Sequence, residues 1–167
     1  QPAQPTTRCA FDFGAAVLCF GALRFGGRKR LRPYKFELAR GFAARWGEAA
    51  THEDHTVLAF DKPDTWSQKY NLVWDRVLGL DLFPTALAHR ELKFYRSNQN
   101  RYGLPLDSRA TFTKIDWTLW TACLTGDRED FDALLQPVWN WVNETPDRVP
   151  MCDWYDTESG RKINMIA

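Results

Sequence analysis

The sequence is short of several features, and each shortage removes a class of function. No stretch of about 18 uncharged apolar residues occurs in the 167, which argues against a membrane-spanning helix and a membrane partner. Charge of one sign is barely in excess: the formal net charge is +1, so the surplus of Lys and Arg that recruits nucleic acid or an anionic surface is missing. There is no glycine-rich phosphate loop, so nucleotide chemistry has no support, and no heptad pattern or long low-complexity tract. The four cysteines, Cys9, Cys19, Cys123 and Cys152, are far apart with no C-x-x-C pair, which signals neither a zinc site nor a redox dithiol. Histidine is equally scarce. His52-Glu53-Asp54-His55 lacks the four-residue His spacing of a zinc-protease helix, so His55 reads as structural, and neither a metal nor a cofactor is expected.

What is present is unevenly distributed. Residues 1 to 45 carry nine Lys and Arg against two acidic residues, whereas residues 46 to 167 carry thirteen against nineteen, and all eight Trp lie between Trp46 and Trp154. The chain therefore changes character near its first quarter. Within the basic part, residues 8 to 25 imitate a secretory signal, but Asp12 interrupts the apolar run and no small-residue cleavage site stands out; a buried helix is the plainer reading. Asn143-Glu144-Thr145 is an acceptor sequon followed by Pro146.

From residue 33 onward the apolar spacing predicts an all-α fold in which two kinds of helix alternate. One kind has a wet face: about 33 to 50; 84 to 99, opened by Pro84 and striped by Ala88, Leu92 and Tyr95; and 127 to 144, striped by Phe131, Leu134, Leu135, Val138 and Val142. Pro137 inside the last is expected to bend it. The other kind is apolar nearly all round, from Tyr70 to Leu80 and from Ile115 to Leu124, and is expected to be buried. That order predicts stacked helical hairpins, closed as a ring or open as a solenoid. Long loops, Asp61 to Lys69, Gly103 to Lys114 and Thr145 to Gly160, precede inner positions and are the places to look for function.

Those loops and their flanks carry a resemblance. Leu58-Ala-Phe-Asp-Lys-Pro-Asp-Thr-Trp-Ser-Gln-Lys-Tyr-Asn-Leu-Val-Trp-Asp75, Gly79-Leu-Asp-Leu-Phe83, Tyr102-Gly-Leu-Pro-Leu-Asp-Ser-Arg109, Lys114-Ile-Asp-Trp117, Asn143-Glu-Thr-Pro146 and Val149-Pro-Met-Cys-Asp-Trp-Tyr-Asp-Thr157 resemble, in order, the glutaminase A family. The likeness spans roughly residues 38 to 163. It implies a secreted, extracellular microbial amidohydrolase that converts L-glutamine to L-glutamate and ammonia. It also implies an (α/α)6 toroid of six helical hairpins preceded by a β-rich domain. Residues 37 to 167 would supply part of that toroid, and the partners would be glutamine, the remainder of the toroid and the β-rich domain. Residues 1 to 36 match nothing in the family and fit a mispredicted exon, a shifted frame or a truncated gene.

Amide hydrolysis needs a nucleophile or activated water, a proton donor for ammonia, and donors for the oxyanion. The candidate catalytic carboxylates are Asp107, Asp116 and Asp153, with Asp156 beside them. Asp116 stands out because it enters a Trp-lined helix near Arg109 and Lys114, although Asp at such a place is more often a helix cap. Lys69 and Arg109 are candidates for the substrate carboxylate, with surface salt bridges as the ordinary alternative. Trp66, Tyr70, Lys114, Trp117 and Trp154 are expected around the substrate, whereas Trp74 and Trp120 read as core. Ser159 to Lys162 and Thr111 to Lys114 fit the short Ser-x-x-Lys pattern of unrelated serine enzymes by accident, and the nucleophile stays unassigned. Two other readings remain: a glycoside hydrolase on a similar toroid, or a non-catalytic fragment.

Overall fold

The computed structural model describes residues 32 to 163, with side chains from Tyr34 onward. The signal-like stretch at 8 to 25, Cys9 and Cys19 fall outside the described residues, as does most of the basic segment.

Helix α1, Arg32–Ala50, buries Ala39, Ala43, Trp46 and Ala50, whose three- and four-residue spacing forms one stripe. Three of the four are alanines, so the helix lies close to its neighbours while Trp46 sets its edge on Phe83 at 5.7 Å. The helix runs without a break through residues 36 and 37, where the basic segment was expected to end.

An antiparallel three-stranded sheet follows: β1 (Thr51–His52), β2 (His55–Ala59) and β3 (Lys62–Trp66) in that order. The region read as a loop from Asp61 is thus mostly strand. Pro63 cannot donate to a ladder on both sides, which suits β3 to its edge position.

A 3-10 turn, Tyr70–Leu72, leads into the short helix α2, Val73–Leu78, which Gly79 ends in the left-handed conformation (φ 58°). Helix α3 is Thr85–Ser97, entered from Pro84. Strand β4 (Phe112–Lys114) runs directly into α4 (Ile115–Ala122) and pairs with β5 (Trp154–Asp156) in the register Phe112↔Asp156, Lys114↔Trp154.

Helix α5, Arg128–Glu144, is capped by Asp127, whose carboxylate accepts from the Glu129 amide at 2.8 Å. It buries Leu134, Val138 and Trp141, with Phe131, Leu135 and Val142 half-buried along the expected stripe. The helix continues through Pro137. The carbonyl of Ala133, which a residue-137 amide would otherwise have bonded, accepts from Gln99 Nε2 at 3.1 Å instead.

Leu92, Leu104 and Leu134 are fully buried in the main core with Tyr95. Each such leucine is worth about 2–3 kcal/mol relative to an exposed one. A second cluster stacks Trp141 on Tyr155 at 4.0 Å against Tyr102, with the Tyr155 hydroxyl donating to the Tyr102 carbonyl at 2.8 Å.

Helix dominates the described chain, as the apolar spacing predicts, but two expectations need correction. Short strands interrupt it, and the helix expected to be wholly inner is not wholly covered: Trp74 is 38% and Val77 62% exposed. The reason is local. Helix α2 spans only six residues, of which Val73 alone is buried, so the described chain covers little beyond its first turn.

Between α4 and α5, Gly126 sits at φ 72°, and the Arg76 guanidinium, donating to the Thr125 carbonyl at 2.9 Å, occupies the space a Cβ would need, only 1.9 Å away. Gly126→Ala should therefore cost about 1–3 kcal/mol in urea unfolding. The double variant with Arg76→Ala should recover part of that loss, and equal stability of the single variant and the parent would refute the arrangement.

Candidate functional site

A cleft of about 400 Å³ opens between β2, the segment 67 to 71, the loop 106 to 109 and the aromatic residues Trp117 and Trp154. Its floor is the chain just after β3. Ser67 bridges Asp107, Gln68 N–H donates to the Leu106 carbonyl at 2.8 Å, and Ser108 N–H donates to the Trp66 carbonyl at 3.0 Å. These bonds continue strand pairing into a region that would otherwise be two loops.

The floor is fastened from beneath by buried polar side chains. Gln68, 3% exposed, donates from Nε2 to the carbonyls of Leu104 (3.0 Å) and Pro105 (3.1 Å) and lies 3.1 Å from Thr113 Oγ1. Its Oε1 accepts from the Thr121 hydroxyl at 3.1 Å. Lys69 Nζ lies 3.1 Å from the Thr56 carbonyl, 3.1 Å from the Ser67 carbonyl and 2.9 Å from Ser67 Oγ. The Tyr95 hydroxyl accepts from Lys69 N–H at 3.0 Å and lies 2.8 Å from the Ser67 carbonyl and 2.7 Å from Glu91 Oε2. Burial first, then the Glu91 carboxylate, pushes the Tyr95 phenol well above its ordinary value, so it serves as a neutral hydrogen-bonding group.

On one side of the cleft, Asp107 is buried and grips Arg109. Arg109 Nε donates to Oδ1 at 2.9 Å and Nη2 to Oδ2 at 2.6 Å, while the Arg109 amide also reaches Oδ1 at 2.9 Å. The hydrogen bond to Asp107, then its charge, raises the guanidinium above its ordinary value. The Arg109 side chain stays 71% exposed, so this pair fixes the direction of an accessible cation.

On the other side stand aromatic rings. Tyr70 lies flat on Trp117 at 4.4 Å and 9°, and Trp154 stacks on Phe112 at 5.3 Å. Beyond them Lys114 Nζ lies 3.2 Å from Asp153 Oδ2 and 3.7 Å from Asp116 Oδ1, above the faces of Trp117 and Trp154 at 4.9 and 5.9 Å. Burial alone would lower Lys114, but the two carboxylates outweigh it and hold the ammonium above its ordinary value. Burial raises the Tyr70 phenol.

The structure therefore brings Lys69, Tyr70, Asp107, Arg109 and Trp154 to one cleft and gathers Lys114, Asp116 and Asp153 into a cluster beside it. Trp66 turns away to pack on Phe94 and Tyr95 at 5.7 and 6.1 Å. Asp116 is not the helix cap; Lys114 holds that position, and Asp116 follows in the first turn with Oδ1 buried and no hydrogen bond. His55 bonds Asp54 at 3.0 Å and stacks on Phe94 at 4.4 Å, and among the described residues no group of three His, Cys, Asp or Glu is placed to hold a metal. Ser67, Gln68 and Asn71 also line the cleft, and the sequence reading passed over them. The signal was the Ser-x-Lys spacing of residues 67 and 69, which puts both side chains on one side of an extended segment.

The sequence pattern of the Glutaminase A six helical-hairpin domain matches residues 15–167. The chain belongs to this glutaminase A family. It is 36% identical over 127 residues to Glutaminase A of Aspergillus oryzae, covering 74% of this chain and 18% of that protein. It is 26% identical over 164 residues to a probable glutaminase of Arthroderma benhamiae, covering 81% of this chain and 19% of that protein. The chain spans about a fifth of the length of these relatives. No solved structure matches it.

In this glutaminase A-family chain the loop that carries Trp154 depends on a carboxylate. Burial would raise Asp156, but hydrogen bonds from Thr111, from the Ser159 amide and hydroxyl and from the Glu158 amide outweigh it and hold the group below its ordinary value. A carboxyl depressed by folding stabilises the fold above its unfolded pKa of about 3.9, and that contribution is lost as pH falls through the folded value. The stability gap between the parent and Asp156→Asn should thus be full at neutral pH and shrink below about pH 4; a gap that widens in acid counts against it. Gln68→Leu, which keeps the size and removes the bonds, should cost about 2–4 kcal/mol in urea unfolding, and a loss near zero would deny the floor its fastening.

Proposed function

We propose that this cleft takes glutamine, and that the protein carrying this chain hydrolyses the side-chain amide to give glutamate and ammonia. The observation that carries the reading is the Asp107–Arg109 clamp in a cleft walled by the Tyr70–Trp117 stack. An oriented, accessible guanidinium suits an α-carboxylate, and flat rings suit the aliphatic stem between that carboxylate and the amide. Arg109 takes the carboxylate in preference to Lys69, whose Nζ is engaged by the floor.

Asp116 and Asp153, joined through Lys114, place carboxylates able to hold a proton beside the aromatic wall. Asp107 orients Arg109. Family membership supports the reaction class, and the resemblance supports an extracellular site of action and a larger toroid of helical hairpins of which this chain forms part. No described helix is long and apolar enough to cross a membrane.

The stacked rings also suit a sugar, so both products need measuring. Ammonia should be released from L-glutamine, with no reducing sugar from glycosides. Arg109→Lys loses the two-pronged contact, and KM should rise about 10- to 100-fold with a smaller change in kcat. Sugar release without ammonia would replace this reading with glycoside hydrolysis.

A further inference from the structure

The cleft described so far has carboxylates, a cation and walls, but no group assigned to attack the amide carbon. Its floor offers one. Ser67 Oγ lies 2.9 Å from Lys69 Nζ, and both residues line the cleft. A hydroxyl within hydrogen-bond reach of an amine, with the amine itself oriented by other groups, is the arrangement that activates a serine nucleophile.

Resting on the reading that the cleft hydrolyses a carboxamide, we propose that Ser67 is the nucleophile and Lys69 the base that activates it.

The geometry fits the proton count. A neutral amine has two hydrogens and one lone pair. The carbonyls of Thr56 and Ser67, each 3.1 Å from Nζ, and that of Val57 at 3.5 Å are acceptors for its hydrogens, and the lone pair can then turn to the Ser67 hydroxyl at 2.9 Å. After proton transfer, the ammonium still has these acceptors around it. The base therefore gains its proton without leaving its place. The serine is equally fixed, because Ser67 bridges Asp107 and its carbonyl lies 2.8 Å from the Tyr95 hydroxyl.

The chemistry balances. Ser67 Oγ forms a bond to the amide carbon while its proton passes to Lys69 Nζ. The carbon–nitrogen bond then breaks, Lys69 returns the proton to the nitrogen, and ammonia leaves an ester on Ser67. Water attacks that ester, its proton passes through Lys69 back to Ser67 Oγ, and the acid is released. Asn71, which lines the same cleft, is the donor available to the oxyanion.

The test uses the protein that carries this chain, with L-glutamine as substrate and hydroxylamine as the trapping nucleophile. The parent should form the glutamyl hydroxamate, and rapid quenching followed by peptide mass mapping should place a glutamyl group on Ser67. Ser67→Ala should lower ammonia release by at least about 1,000-fold and abolish the hydroxamate, with its melting midpoint nearly unchanged. Lys69→Arg keeps a charged donor but cannot accept a proton near neutral pH, so it should lose activity to a similar degree. Should it fail to fold, the Ser67→Ala result and the mapped adduct decide the matter.

Ammonia release within about tenfold of the parent in Ser67→Ala, or a glutamyl group mapped to an aspartate, overturns the proposal and leaves amide hydrolysis standing by another route. Full activity in Lys69→Arg removes Lys69 as the base. If the parent releases no ammonia, the functional reading fails and the proposal falls with it.

Discussion

The fastening of three residues, Ser67, Gln68 and Lys69, holds this structure in register. Gln68 ties the end of the first sheet to the 104 to 106 strand-like segment and to α4 through Thr121, while Lys69 ties the same stretch back to β2 and Tyr95 ties it to α3. Four parts of the chain, separated by up to 53 positions, meet on these side chains. Apolar contact alone is non-directional and would allow the segment to slide by a residue, which would turn Ser67 and Lys69 to the opposite face. Directional bonds in a low-dielectric interior penalise that slip, because each misplaced donor would be buried without a partner.

The cost of such a floor is desolvation, and the structure offsets it by density of partners. Thr113, Thr118 and Thr121 are all fully buried around Gln68, and each sits where a valine of the same shape would fit a purely apolar core. Their hydroxyls complete a network in which Gln68 has acceptors for its amide hydrogens and a donor for its carbonyl. A fully connected network makes a rigid platform, and rigidity there matters because the cleft lies directly above it.

Some of this was legible from the residues. The long amphipathic stripe of α5 and the entry of α3 at Pro84 follow from spacing and composition, since each depends on residues near one another in sequence. The meeting of Asp107, Arg109, Lys69, Tyr70 and Trp154 was anticipated from loops and family likeness, although no local rule brings residues 69 and 154 together. What stayed hidden depends on pairing at a distance. Trp66 reads like a cleft aromatic until its packing on Phe94 and Tyr95, far along the chain, shows where the ring goes. Pro137 is expected to bend its helix, and only Gln99, 34 positions from Ala133, accounts for the carbonyl it leaves over. Helix α2 reads as buried because hydrophobicity reports what a surface prefers, not whether the described chain covers it.

The charges divide the labour of the cleft. Asp107 has both oxygens engaged by Arg109, and a carboxylate held by a guanidinium fork is suited to directing that cation rather than to exchanging protons. Asp153 and Asp116 share a single ammonium between them, Asp116 with no hydrogen bond to Oδ1, so this cluster carries the less constrained carboxylates. In the proposed reading, anion binding at Arg109 is kept apart from this cluster, whose residues do not line the cleft. The floor holds the proposed nucleophile, Ser67, 2.9 Å from the proposed base, Lys69. An amide substrate bound as proposed, with its carboxylate on Arg109 and its stem against Tyr70 and Trp117, would meet these groups in one 400 Å³ space without asking any of them to serve twice.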